Sequence, residues 1–159
     1  MSLDSVRTHL AAVAPDLAIL EAESTTATVA LAAAAHGVEP GQIAKTLSLW
    51  IGGDVVLVVM SGSVRLDNRK FRTHFGVKAK MLDADAVVAW TGHPVGGVCP
   101  FGLANPLRVY ADVSLRAWPE VLPAAGSTTS ALRIAPDRLA AITDATWVDV
   151  GEAPVQATR

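Results

Sequence analysis

A lysine interrupts the pattern of the segment AKTLSLWI, residues 44–51. If the segment is a strand, Lys45 shares a face with Leu47, Leu49 and Ile51, while Thr46, Ser48 and Trp50 share the other. Burying an unpaired ammonium is costly, and either lowers its pKa or demands an anionic partner. Two readings stay open from the pattern: Lys45 runs its stem along the edge of the core and its head to water, or it is the fixed cation of a cleft. A second segment with chemical potential is GHPVGGVCPFG, residues 92–102. The adjacent glycines Gly96 and Gly97 let successive N–H groups, through Val98, face one point, and Pro100 stiffens the turn; such a nest suits an anion or a carbonyl oxygen. A purely structural turn fits the same letters. It is no nucleotide phosphate loop, because no Gly-Lys-Ser/Thr follows.

Other candidates are weaker in type or spacing. Cys99 could be a nucleophile served by His93, which leaves a small-molecule thiol enzyme as one alternative; closeness in sequence establishes neither the base nor the group that orients it. His9 and His74 fall on surface helices, and His36 precedes a C-terminal glycine where a cation complements the helix dipole. Six of the 13 basic residues (Arg65, Arg69, Lys70, Arg72, Lys78 and Lys80) crowd into residues 65–80, opposed only by Asp67. This is either a solvated face or the place where a phosphate backbone is approached.

The positioning elements follow from periodicity and punctuation. SVRTHLAAVAP is a helix ended by Pro15, DLAILEAE a short strand, and STTATVALAAAAHG an Ala-rich helix capped by Ser24, Thr25 or Thr26 and closed by Gly37. KTLSLWI and VVLVVMS form a hairpin across Gly52-Gly53-Asp54, and the second strand, apolar on both faces, is central in a sheet covered on both sides. Helices run from Asp67 to Phe75 and between Asp83 and Gly92, with VKAKML a brief strand between them. A loop of about 14 residues, 93–106, is long enough to point to function. Then come the strand LRVYADVSL, a hairpin around Gly126-Ser127, the helix PDRLAAIT with Pro136 in its first turn, and the strand TWVDV.

The chain of 159 residues, 51 % apolar, suits one domain over residues 1–150 with a frayed tail at 151–159. Its class is α+β with a mixed, partly antiparallel sheet. A formal charge of −2 excludes a broadly basic nucleic-acid-coating surface. One cysteine and four scattered histidines offer no close metal-ligand pairs. No apolar run approaches the roughly 20 residues of a membrane span, and the N-terminus lacks the pattern of a secretion signal, so a cytoplasmic protein is expected.

With QIAKTLSL, TGHPVGGVCPFG and AAGSTTSALRIAPDRL in this order, the chain resembles the YbaK and prolyl-tRNA synthetase-associated editing-domain family over residues 20–150. The resemblance implies a mixed sheet in the form of a distorted barrel, with helices around a cleft that receives the aminoacylated 3′ end of tRNA. It matches Lys45 to the family's lysine, with Thr46 beside it. The glycine loop matches Gly96, Gly97 and Pro100, and a later turn matches Ala125-Gly126 with Ser127. Two departures stand out: His93 and Cys99 replace tyrosine and serine of many relatives, and the acidic residue before the late leucine is here Arg138, with Asp137 one place earlier.

The implied activity is a free-standing deacylase that hydrolyses the ester of a mischarged tRNA bearing alanine, cysteine or serine, with tRNA-Pro as one carrier. Lys45, Gly96 and Gly97 would be catalytic; Thr46, Val98, Pro100, Gly126 and Ser127 would bind substrate. Arg65, Arg69, Lys70 and Arg72 would meet the tRNA. No cofactor or metal is called for, and neither DNA nor a membrane is a partner, although an aminoacyl-tRNA synthetase could be a second one. The alternative is a non-catalytic adaptor of the same fold that binds tRNA or a synthetase. A structural expectation follows: Lys45 Nζ points into a pocket bounded by Gly96 and Gly97.

Overall fold

The computed structural model describes residues 2–152. Its elements are α1 (Ser2–Val13), β1 (Leu20–Glu21), α2 (Val29–His36), β2 (Ile43–Ile51), β3 (Asp54–Ser61), α3 (Asn68–Phe75), β4 (Lys80–Met81), α4 (Ala84–Thr91), β5 (Arg108–Asp112), β6 (Leu122–Pro123), β7 (Ser130–Ala131), α5 (Pro136–Thr143) and β8 (Thr146–Val148). No helix among the described residues is long and apolar enough to cross a membrane.

β2 and β3 pair antiparallel from Ala44↔Ser61 to Ile51↔Asp54 around Gly52-Gly53, with Gly52 at φ 62° as a tight turn requires. β3 continues parallel to β5, β5 parallel to β8, and β4 joins the far edge of β2. The order β4-β2-β3-β5-β8, with β6 beside β2, is an open path. Among the described residues the sheet is mixed, as expected, with a separate β1-β7 pair, and no strand pairing closes it into a barrel.

Alternation along β3 assigns the two faces. Leu57 and Val59 pack with Val6 and Leu10 of α1, Phe101 of the long loop and Leu139 of α5. Val56 and Val58 pack with Phe71 of α3 and with Leu49, Val148 and Val150. Both faces are therefore covered, and a strand with no polar interior residue fits nowhere else. Leu47, Leu49 and Ile51 extend the α3 face, whereas Ala44 belongs to the α1 face.

The helix ends show which local signals were decisive. Asp67 accepts from the N–H groups of Arg69 and Lys70, Asp83 accepts from Ala86 N–H, and Gly76 and Gly92 close the two helices in the left-handed region. α2 is shorter than expected: Thr28 caps it through Leu31 N–H, in place of Ser24, Thr25 or Thr26. The reason is tertiary, because Thr26 is bound to the 127–130 turn, its N–H and Oγ1 both donating to Thr128 C=O at 2.6 and 2.9 Å. The expected strand DLAILEAE contracts to Leu20–Glu21 for want of a longer partner. The hairpin around Gly126-Ser127 is a set of isolated bridges, Val121↔Ile134 and Ala124↔Ala131, because β6 turns to β2 and β7 to β1. At the chain's end Gly151 pairs with Leu66, and Glu152 N–H donates to Arg65 C=O at 2.8 Å. The rest of the tail expected to fray lies outside the described residues.

Candidate functional site

The edge of β2 away from β3 is shared by two short partners, β6 at Ile43 and Ala44 and β4 at Leu49 and Trp50. The stretch from Lys45 to Ser48 lies between them. A cavity of about 270 Å³ opens at this gap. Its floor is β2 from Ile43 to Ser48 without Leu47; its walls come from the start of α2 (Thr26 to Val29, Ala32), from Met81, Leu82 and Val87 near α4, from Val95, Gly96 and Val98 of the long loop, and from Leu122, Ala124, Ser130 and Ala131. The lining is mostly apolar and built of small side chains.

Among the described residues, Lys45 is the single charged one of that lining. It stands in the row of Leu47, partly buried, and Leu49, fully buried, which pack on the α3 side, but at the end where the sheet edge is open. Burial, and secondarily the positive charge of Arg65, hold its pKa below the ordinary lysine value of 10.5. None of the salt bridges among the described residues includes Lys45. Thr46 and Ser48 enter the cavity from the other face of the strand, and Thr46 Oγ1 is buried with no hydrogen-bond partner. An ammonium, an orphaned hydroxyl and an incomplete strand edge thus meet in one small apolar recess.

Lys45, Thr46, Gly96 and Val98 line the cavity; Gly97, Pro100, Gly126 and Ser127 do not. The latter work one layer behind. Gly97 lies so close to Ser127 that a Cβ would stand 2.8–2.9 Å from its backbone, and Gly126 N–H donates to Gly97 C=O at 3.1 Å. Ser127 Oγ is 2.6 Å from Ser130 Oγ, and Ser130 is the residue that reaches the cavity. Gly96, at φ 89°, presses on Ala27, where a Cβ would stand 2.8 Å from the Ala27 Cβ. The two glycine turns are therefore a joint that brings the long loop against the start of α2.

α1 clasps this joint from outside. Ser2 Oγ donates to Gly126 C=O, Ser5 Oγ donates to Gly102 C=O at 2.9 Å, and Gly102 N–H donates to His9 Nδ1 at 2.9 Å. His9, expected on a plain surface helix, is thereby a loop anchor. Serine and histidine at positions 2, 5 and 9 share one helix face, the only local hint of this role. Thr26, Thr28, Ser48 and Ser130 also escaped notice as lining residues, since only the fold assembles them.

His93 and Cys99 are buried beneath the loop. His93 Nε2 donates to Phe101 C=O at 2.7 Å and lies 3.6 Å from Cys99 Sγ, while its Nδ1 is buried without a partner. Burial lowers the His93 pKa against the opposing pull of that carbonyl, and burial pushes the Cys99 thiol up to about 12. A thiol so placed carries no thiolate at neutral pH. At His36, next to the closing glycine of α2, burial and then the charge of Arg133 lower the pKa.

The basic stretch divides. Arg65 is exposed and near enough to Lys45 to act on its charge, and Arg69 and Arg72 are exposed on α3. Lys70 instead donates to Asp149 Oδ1 at 3.1 Å and to Gly151 C=O at 2.9 Å, on the border of a different recess of about 380 Å³.

The family model described as the aminoacyl-tRNA editing domain matches residues 23–142. The chain is 45 % identical over 152 residues to the uncharacterized protein YwhH of Bacillus subtilis, covering 94 % of this chain and 97 % of that one. It is 34 % identical over 102 residues to the proline–tRNA ligase of Geobacter, matching 64 % of this chain but only 18 % of the ligase. A solved structure described as that of a candidate trans-editing enzyme for prolyl tRNA synthetase superposes with a TM-score of 0.88 at 33 % identity, over 96 % of this chain and 98 % of that one. The hypothetical protein APE2540 superposes with a TM-score of 0.85 at 32 % identity, over 93 % of this chain and 99 % of that one. Sequence model, relatives and fold agree: the chain belongs to the aminoacyl-tRNA editing domain family.

Proposed function

We propose that the chain is a free-standing deacylase that hydrolyses the ester of a mischarged aminoacyl-tRNA carrying a small amino acid, alanine, cysteine or serine, with tRNA-Pro as a carrier. The observation that carries this reading is the lone ammonium of Lys45 in a small, largely apolar cavity whose wall includes Gly96. Water adds to the ester carbonyl carbon, and the charge that develops on the carbonyl oxygen is the quantity to stabilise. The bond from that carbon to the ribose oxygen then breaks; the proton shed by the water passes to the departing oxygen, leaving a free amino acid and a tRNA with its terminal hydroxyl restored.

In this mechanism Lys45 holds the terminal adenosine's phosphate or the developing oxyanion. Of the expected Gly96–Val98 nest, Gly96 and Val98 line the cavity and their N–H groups polarise the carbonyl, whereas Gly97 N–H is committed to Pro94 C=O at 2.9 Å and holds the turn; the neighbouring ribose hydroxyl positions the water. No protein nucleophile is required, consistent with the protonated, buried Cys99. Arg65, Arg69 and Arg72 would follow the phosphate backbone on the α3 side, the face from which Lys45 projects. Size sets the choice of substrate: alanines 27, 32, 44, 124 and 131 wall the cavity. An apolar pocket distinguishes one methylene by only about 1–3 kcal/mol, so a second, hydrolytic site is the usual remedy for small amino acids.

Purified full-length protein challenged with alanyl-, cysteinyl-, seryl- and prolyl-tRNA tests the reading. Hydrolysis of at least one small aminoacyl ester well above its spontaneous rate is expected. Association with tRNA or a synthetase without hydrolysis of any of them would replace the deacylase with the adaptor.

A further inference from the structure

One residue on the edge of β2 is left without a strand partner. Gly62 N–H donates to Ile43 C=O at 2.7 Å, on the β3 side, which sets the phase of the ladder: odd-numbered residues of β2 direct their backbone groups to β3 and even-numbered ones to the opposite edge. On that opposite edge Ala44 is paired with β6, and Ser48 C=O accepts from Leu82 N–H at 3.1 Å. Thr46 falls between, where neither β6 nor β4 reaches, so its N–H and C=O face the cavity that it lines. Its Oγ1 is buried and unpartnered as well.

We propose that the missing residue is the substrate's own: the aminoacyl group docks on this edge as a single β residue, its α-ammonium donating to Thr46 C=O and its ester carbonyl oxygen accepting from Thr46 N–H. The inference rests on the deacylase reading and deepens it by naming what recognises the amino acid. An aminoacyl ester carries the N–Cα–C=O sequence of a residue and is the smallest unit able to exchange both bonds with a strand edge. A cavity of about 270 Å³ has room for one such unit. The bonds to the Thr46 backbone lie in the plane of the sheet edge, whereas Lys45 projects from one face of β2, so the two ammonium groups are not directed along one line.

It follows that the α-amino group, common to all amino acids, is read by backbone atoms, while the small walls read the side chain. Lactyl-tRNA, made by deaminating alanyl-tRNA, has the same acyl size and a hydroxyl in place of the ammonium. Each ester is compared by its acceleration over its own spontaneous hydrolysis. A loss of about tenfold or more in kcat/KM for the lactyl ester is expected, since a charge-assisted bond to a buried acceptor is forfeited. Equal acceleration of both esters overturns the inference and leaves the deacylase intact. Failure to hydrolyse alanyl-tRNA or any other small aminoacyl-tRNA is a different result, and overturns both. A binding readout is independent of turnover: 3′-alanylamido-3′-deoxyadenosine titrated into 15N-labelled protein should move the Thr46 amide resonance, and its lactyl counterpart should need about tenfold or more higher concentration to do so. Shifts at Gly96 with Thr46 unmoved would refute the docking.

Discussion

Replacing Lys45 with methionine removes the positive charge of the cavity while keeping a long apolar stem in place. Burial is the larger cause of the lysine's lowered pKa and Arg65 the smaller, so its charged form is less favourable in the folded chain than in the unfolded one. The unfolded chain binds this proton more tightly. The penalty is therefore fully present below the folded pKa, and it is relieved as pH rises from there toward 10.5. Lys45→Met escapes that penalty, so its melting temperature at neutral pH should equal or exceed that of the parent, and it should lack the parent's alkaline gain. Catalysis should move the other way. A hydrogen bond to a charged group contributes about 1.5–3 kcal/mol, or roughly ten- to 150-fold in rate, and the loss in kcat/KM should fall at or above that range. The parent's activity should also decline with rising pH before 10.5 is reached, as the ammonium loses its proton. Thermal melts across pH, paired with single-turnover deacylation at matched pH, measure both arms. A folded methionine variant within about threefold of parental kcat/KM would refute the role of the charge.

Gly97→Ala must displace the backbone of Ser127, from which its Cβ would be 2.8–2.9 Å away, and should cost about 1–3 kcal/mol in chemical denaturation together with most activity. Cys99→Ser should keep parental turnover, and native Cys99 should resist alkylation at neutral pH because its thiol is buried with a pKa of about 12; loss of turnover in a folded serine variant would restore the thiol enzyme. Arg69→Glu with Arg72→Glu, both on exposed positions of α3, should weaken tRNA binding and flatten its salt dependence without lowering the melting temperature. Lys70→Glu should instead lower the melting temperature, since it breaks the contacts to Asp149 and the Gly151 carbonyl.

Signals contained within a few residues were legible in the sequence. The Gly52-Gly53 hairpin, the Asp67 and Asp83 caps, the closing glycines at 76 and 92, and Pro136 at the start of α5 all lie where local stereochemistry puts them. The oddity of Lys45 was equally visible, because alternation is a local property. What the sequence did not show were boundaries and neighbours settled by distant contacts. α2 starts late because Thr26 is drawn to Thr128, and the open sheet edge exists only because two short strands, from opposite ends of the chain's middle, stop on either side of Thr46. Likewise, Gly97 and Gly126 look like ligand-binding glycines in one dimension and turn out to be the faces of a joint. No periodicity could have separated the Arg65 side of the basic stretch from Lys70, whose partners lie 79 and 81 residues away.

The grip of α1 on the two glycine turns orders events in time. Ser2 is bound to a carbonyl 124 residues away, and His9 to an amide 93 residues away. Chains are synthesised at about 5–20 residues per second, so Gly126 is made roughly 6–25 s after Ser2. During that interval α1 has no joint to hold, and β6 and β7, which complete the cavity wall, do not yet exist. A growing copy therefore has no assembled cavity until the turn at Gly126 and the strand at Ser130–Ala131 have been made and meet α1.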